Sequence, residues 1–463
     1  MLFNTPVFIL FFVLAVPASF LVPKRFQNLL LLFASYFFYG FGEPSLILLL
    51  MAVTAATYIS ARGICRHPAR KKLWKVLGIL IPLLALFLFK YLGFFTRLVG
   101  GLLGGNGSGA ALALILPTGI SFYTFQAVSY VIDVSRGDMD CEDNPVTFAL
   151  YLSFFPQLVA GPIERAKDLL PQFRRERHFA PASAIRGARL MLFGFFEKIA
   201  IADILGIFVN RIWADPAAAG GADILLAIFF FSIQILCDFK GYSDIARGAA
   251  AVLGIRLSVN FDEPYRSASV SEFWRRWHMT LSSWLRDYLY IPLGGSARGD
   301  AIWCRNILIV FLISGLWHGA DLTFVAWGLL HALFQILEYF LFRGKARDTH
   351  RGLRQILTFL LVSAAWILFR APDFSTAGLF ITRLFTGWQT LSVTAEAGEL
   401  ACFAAALLGF ACLSRLPLLL SGEGTPKKVL RYLGYTLMLW LTLAAYLYLR
   451  SGGIQSSFIY FQF

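Results

Sequence analysis

Apolar runs long enough to cross a bilayer recur from one end of this 463-residue sequence to the other. A membrane helix needs about 20 such residues, because the hydrocarbon core is about 30 Å thick and a helix rises about 1.5 Å per residue. Candidate spans lie near residues 7–22, 26–41, 45–60, 76–98, 112–132, 190–211, 223–238, 303–319, 321–342, 353–370, 398–417 and 432–450. A weaker apolar stretch at 146–160 contains Pro156 and ends in Gly161-Pro162, the pattern of a re-entrant or interfacial segment. Only 15% of the residues are charged, against about 25% in soluble domains. With 58% hydrophobic residues and a mean hydropathy of +0.67, the surplus apolar surface must face lipid. The expected fold class is an all-α polytopic integral membrane protein, with about 11–12 transmembrane helices plus re-entrant and interfacial helices.

The net charge of +14 does not point to a nucleic-acid partner. The basic residues sit in short clusters between apolar runs, as expected of cytoplasmic loops, and suit contact with anionic lipid headgroups. Residues 62–75 hold Arg62, Arg66, Arg70, Lys71, Lys72 and Lys75 with no acid among them. Further clusters lie at 165–189, at 343–354 and at Lys427, Lys428 and Arg431, whereas 100–110, 212–222 and 388–400 carry no Lys or Arg. Placing every basic cluster inside leaves both termini outside. The run Val7–Val22 has Lys24 and Arg25 after it rather than a basic residue before it, which favours a retained span over a signal peptide. Six scattered cysteines show no CxxC or other metal-like spacing, so neither a disulfide framework nor a zinc site is expected.

Residues 239–302 form a long connection with little uninterrupted apolar sequence, yet rich in Trp, Tyr, Arg and Gly. Its aromatic content argues against disorder. Ser271–Leu289 reads as one amphipathic helix at the cytoplasmic interface, with Trp274, Trp277 and Trp284 at headgroup depth. Gly100–Gly109 lacks the GK[ST] ending of a phosphate loop and reads as a flexible outer turn. No internal repeat is evident.

Among the six histidines, His67, His178 and His350 lie in basic surroundings and read as solvated or headgroup-facing. His318 stands in Ser314-Gly315-Leu316-Trp317-His318-Gly319-Ala320-Asp321, between two strongly apolar runs. A titratable group placed there faces a cavity or a partner, and the flanking glycines allow close backbone approach. An unperturbed value of about 6.5 makes it a candidate base at neutral pH. The position alone fits equally an imidazole bonded to a neighbouring helix. His278 follows Trp274, Arg275, Arg276 and Trp277; the two arginines suit an anionic ligand such as a phosphate-bearing carrier, or else the Trp and Arg residues merely anchor the helix. His331 is thirteen residues past His318, a spacing that on an unbroken helix puts the two on separate faces, so it reads as a packing residue. Asp133, Asp203, Asp238, Asp244 and Asp287 lie near apolar sequence, where pairing is the default expectation. The sequence has no GxSxG elbow, no HExxH and no GxGxxG at a strand–helix junction.

Several of these segments together carry a family likeness. Leu116–Gln126, Asn260–Tyr265, Glu272–His278, Trp284–Gly295, Trp317-His318-Gly319, Trp327–His331 and the closing Phe458–Phe463 resemble the membrane-bound O-acyltransferase superfamily, within it the bacterial alginate O-acetyltransferase type. The likeness runs from residue 1 to residue 463 and implies one membrane domain: N-terminal helices 1–132, a catalytic core 133–342 containing the segment 239–302, and C-terminal helices 343–463. It implies that His318 is catalytic and His278 also important. Trp274, Arg275, Arg276, Asn260, Asp287, Tyr288 and Trp317 are candidate substrate-binding residues. Lys240 departs from the pattern, since relatives often carry a small polar residue there, and a lysine adds charge near the expected ligand path.

The resemblance implies no resident cofactor and no metal. It implies an acyl thioester donor, acetyl-CoA, arriving from the cytoplasm of a bacterium whose inner membrane holds the protein. It further implies an extracytoplasmic SGNH-type acetyltransferase partner and a polysaccharide acceptor. Two other readings stay open at this point: transfer of D-alanine or another acyl group to a cell-envelope polymer, and a non-enzymatic polytopic transporter, for which polar intramembrane residues are equally expected.

Overall fold

The computed structural model of the chain describes residues 1–102, 116–159, 161–297, 299–342, 350–389, 393–413, 425–454 and 458–459. All its regular elements are helical among these residues. Seven are long and apolar enough to cross a membrane: Ser45–Arg66, Pro68–Gly101, Gly221–Val252, Asp300–His318, Leu322–Phe342, Arg351–Arg370 and Lys427–Ser451. Pro6–Leu21 and Ala397–Leu413 are shorter apolar helices. The chain is an all-α polytopic membrane protein, as its apolar runs require. Most of the glycine-rich run 100–109 and part of the basic loop 343–354 lie outside the described residues.

Local chemistry sets many of the helix starts. Thr5 Oγ1 accepts the Phe8 N–H, Asn144 Oδ1 accepts those of Val146 and Thr147, Ser269 Oγ accepts that of Glu272, and Asp373 Oδ1 accepts that of Thr376. Each satisfies a donor that the first helical turn leaves without an intrahelical partner.

The helices fall into two compact units. The first comprises Met1–Met191 and Ile245–Val259. Its Ile120–Arg136 helix is buried almost along its whole length. Gly119, just before that helix, has φ +78°, and a Cβ there would lie 2.3 Å from the Leu158 carbonyl oxygen, so only glycine fits. The apolar stretch at 146–160 is broken, as expected: helix Pro145–Ser153 stops at Phe154, and a second short helix, Phe155–Leu158, carries Pro156. The Phe155 N–H freed by this break donates to Ser35 Oγ at 3.1 Å. Further on, the buried Glu164 accepts the Ser258 N–H at 2.6 Å and the Ser258 hydroxyl at 2.9 Å. The Gln172 amide meanwhile exchanges two hydrogen bonds with the Arg256 backbone. These contacts fix the segment that leads to Asn260.

The second unit comprises Leu192–Asp244 and Asn260–Phe463. Here the long connection proves shorter than the sequence implies, because helix Gly221–Val252 continues well past residue 239. Four buried acids cluster within it around the buried Lys198 and the partly exposed Lys240. Lys198 Nζ lies 2.8 Å from Asp203 and 2.6 Å from Asp238; Lys240 Nζ lies 2.5 Å from Glu197 and 2.8 Å from Asp244. Lys240 is therefore engaged by two carboxylates. The helices Asp300–His318 and Leu322–Phe342 form an antiparallel hairpin at backbone contact. A Cβ on Gly315 would lie 2.3 Å from Phe324 O, and one on Gly328 would lie 2.2 Å from Phe311 O. This is the small-residue packing by which membrane helices approach closely.

Candidate active site

Ser271–Leu289 is not one surface helix. It divides into Val270–Arg276, Met279–Leu285 and a π-turn at Arg286–Tyr290. The break falls at His278, whose φ of 44° is left-handed, a conformation costing about 1–3 kcal/mol for a residue with a Cβ. Its tryptophans pack into the protein: Trp274, Trp277 and Trp284 are 7%, 0% and 8% exposed. The break at His278 interrupts the single amphipathic face that a helical-wheel reading of a continuous helix assumes.

The turn brings His278 towards His318, with ring centroids 6.4 Å apart. Both are buried. His318 is the last residue of its helix, and the chain turns at Gly319 before the next helix begins at Leu322. Trp317 stands beside both rings, 4.9 Å from His318 and 5.6 Å from His278. His318 is also met edge-on by Trp327 at 5.1 Å and Phe369 at 5.5 Å. Phe239 meets His278 edge-on at 4.7 Å. Trp366 closes this wall by stacking on Trp327 and packing against Trp277. Phe239, Trp327, Trp366 and Phe369 were not among the site residues expected from sequence. Trp327 adjoins the hairpin glycine Gly328, but Phe239, Trp366 and Phe369 lie within apolar helices that give no local signal.

His331 joins this aromatic cluster because the helix breaks between it and His318. It lies 5.0 Å from Trp327, and its Nδ1 accepts the Trp274 indole N–H at 3.2 Å. That hydrogen bond accords with a packing role, although the premise of one unbroken helix does not hold.

Asn260 contacts His278 directly. Its Oδ1 lies 3.3 Å from His278 Nδ1 and accepts both the Thr280 hydroxyl at 2.7 Å and the Thr280 N–H at 3.3 Å. Its carbonyl accepts the Met279 N–H at 2.9 Å. Burial pushes His278 down from the ordinary histidine value of about 6.5 to about 3, so its ring is neutral near pH 7.

The remaining candidates take other partners. Arg276 pairs with Glu272 at 3.0 Å and approaches Asp262 at 3.8 Å. Arg275 is exposed and has no ion-pair partner among the described residues, which leaves it open to an anion. Asp287 pairs with Arg286 at 2.8 Å, and Tyr288 lies against Trp284 at 5.1 Å. The arrangement thus holds two buried imidazoles in an aromatic enclosure, one of them fixed by an amide, with a cation exposed on the same short helix as Trp274.

Known proteins bear on this arrangement. The sequence profile described as "MBOAT, membrane-bound O-acyltransferase family" matches residues 143–374. The chain is 39% identical over 403 residues to "Probable alginate O-acetylase AlgI" of Azotobacter vinelandii, covering 85% of this chain and 80% of that protein. It is 34% identical to "Peptidoglycan O-acetyltransferase" of Helicobacter pylori, covering 81% and 78%. To "Teichoic acid D-alanyltransferase" of Streptococcus thermophilus it is 28% identical, covering 48% and 56%.

Proposed function

The chain belongs to the membrane-bound O-acyltransferase family and is an O-acyltransferase, and on that premise we propose that it moves acetyl groups from cytoplasmic acetyl-CoA for O-acetylation of an extracytoplasmic polysaccharide. The observation that carries this reading is the pairing of His318 with His278 inside the aromatic enclosure. His318 takes the proton of an acceptor hydroxyl as its oxygen attacks the thioester carbonyl. The C–S bond then breaks, and the leaving thiolate recovers the proton from His318. A positioned general base of this kind contributes about 10²–10⁴ in rate. A thiol has a pKa of about 8.5, so its thiolate leaves without a strong acid. Arg275 meets the CoA phosphates, while Trp317 and Trp274 line the reacting end.

The acceptor hydroxyl belongs to the polysaccharide, to an intermediate, or to a partner acetyltransferase of the SGNH type outside the bacterial inner membrane. The 39% and 34% identities to proteins named for alginate and peptidoglycan acetylation support a polymer acceptor. The test is the O-acetyl content of purified envelope glycans from a deletion strain. The strain is complemented with wild type, His318→Ala or His278→Ala, at matched membrane levels. Acetyl esters present with wild type and lost with His318→Ala uphold the reading, and the acetylated fraction names the acceptor. Full acetylation with His318→Ala overturns the base and favours a transporter. D-alanyl esters in place of acetyl esters overturn the acyl group.

A further inference from the structure

We propose that Asn260 is a positioning residue that locks His278 in its Nδ1–H tautomer, so that His278 Nε2 accepts the amide N–H next to the thioester in a pantetheine-type donor. The first half follows from hydrogen-bond logic. An amide's oxygen and nitrogen are told apart by their neighbours rather than by shape. At Asn260 the deciding neighbour is the Thr280 backbone N–H, which can only donate and lies 3.3 Å from the side-chain atom in question. That atom is therefore the oxygen, and the Thr280 hydroxyl at 2.7 Å donates to it as well. The same oxygen is 3.3 Å from His278 Nδ1. Two acceptors cannot bond each other, so Nδ1 carries the proton. A neutral imidazole has one N–H, which leaves the lone pair on Nε2.

The clasp also explains how a left-handed His278 is held. Asn260 binds the first two N–H groups of the following helix, Met279 through its backbone carbonyl and Thr280 through its side chain. With both ends of the turn fixed, the imidazole has little freedom to rotate, and Phe239 and Trp317 flank it.

The second half follows from what a thioester donor offers. This half rests on the acyl-transfer reading; the tautomer does not. The proton of the attacking hydroxyl goes to His318, and the thioester group itself has no donor. On a pantetheine arm the donor nearest to the sulfur is the amide N–H two carbons away. Extended, that nitrogen lies about 5 Å from the acyl carbon, comparable with the 6.4 Å between the two histidine rings. With His318 at the carbonyl and His278 at the amide, Trp317 lies beside the intervening sulfur and methylenes, a contact aromatic rings favour. The pantetheine arm is common to coenzyme A and to acyl carrier proteins.

Two measurements test the proposal. The first is a long-range ¹H–¹⁵N correlation spectrum of the full-length protein in nanodiscs with ¹⁵N-labelled histidine, His278 being assigned by its loss in His278→Gln. The expected spectrum has the His278 proton on Nδ1, with a tautomer mixture in Asn260→Ala; a proton on Nε2 in the wild type overturns the clasp. Should Asn260→Ala fail to fold, the wild-type spectrum decides alone.

The second compares transfer from N,S-diacetylcysteamine with transfer from its ester analogue, in which oxygen replaces the amide N–H. The wild type is expected to prefer the amide about ten-fold in kcat/KM, the loss typical of a missing buried hydrogen bond. His278→Gln is expected to reduce that preference. Equal rates for the two in wild type overturn the amide contact while leaving acyl transfer intact, and no transfer from either overturns the acyl-transfer reading instead. Acetyl-CoA and an acetylated carrier protein, assayed side by side, distinguish the two sources of the arm.

Discussion

Gly328→Ala tests whether the hairpin's backbone contact is what aligns the His318 ring with its aromatic wall. The added Cβ would stand 2.2 Å from Phe311 O and 3.3 Å from Gly315 Cα. The close partner is a helix carbonyl, which cannot rotate away as a side chain can. Ordinary contact begins at about 3.5 Å, so the helices Asp300–His318 and Leu322–Phe342 must part by about 1 Å. His318 lies three residues beyond Gly315, and Trp327 immediately precedes Gly328, so the 5.1 Å contact between their rings opens by a similar amount. Overpacking of this kind costs about 1–3 kcal/mol. A displacement of about 1 Å at a reacting group costs about 10²-fold in rate. The assay is O-acetyl transfer by purified, correctly folded protein, with the melting temperature recorded in parallel. Gly378→Ala is the control, since a Cβ there meets nothing within 4 Å and its helix gains about 0.5–1 kcal/mol from the exchange. Activity of Gly328→Ala within three-fold of wild type would refute the alignment argument, and an unchanged melting temperature would refute the packing argument.

Three further outcomes follow from the same structure. Lys198→Met leaves Asp203 and Asp238 buried without their cation and is expected to cost about 3–5 kcal/mol; adding Asp203→Asn and Asp238→Asn should restore much of the lost melting temperature, and no restoration would show that the ion cluster is not the cause. Burial pushes Glu164 up to about 7, despite the two hydrogen bonds from Ser258, from about 4.3 in an unfolded chain. Its contribution is therefore complete below about pH 4.3 and lost as the pH rises through about 7; in Glu164→Gln the fall in melting temperature between pH 5 and 7.5 should flatten, and an unaltered slope would count against it. Arg275→Gln should raise KM for acetyl-CoA with kcat preserved, and the effect should shrink at high salt; a fall in kcat alone would place Arg275 elsewhere in the reaction.

The sequence disclosed the membrane class because too few charges cannot cover a water-facing surface, whatever the fold. It pointed to His318 for a related reason: an ionisable group between two apolar runs is costly unless something uses it. It read 271–289 as one helix because periodicity assumes an unbroken one, whereas the left-handed His278 divides the segment. Asn260 appeared only as a candidate binding residue, since its partners His278 and Thr280 are 18 and 20 positions away and no local pattern links them. Trp366 and Phe369 were invisible for a further reason. In an apolar helix, a ring that faces lipid and a ring that walls a site have the same sequence signature.

The aromatic lining of the paired histidines bears on the proposed chemistry. His278 and His318 are walled by Phe239, Trp317, Trp327 and Phe369. Transfer of a hydroxyl proton to His318 creates an imidazolium and an oxyanion together, starting from neutral partners. In surroundings of low polarisability those two charges attract strongly at short range, so the transition state is stabilised by its own internal pairing. A neutral, amide-fixed His278 can order the donor without disturbing that balance, which is why the clasp at Asn260 and the aromatic enclosure serve the same step.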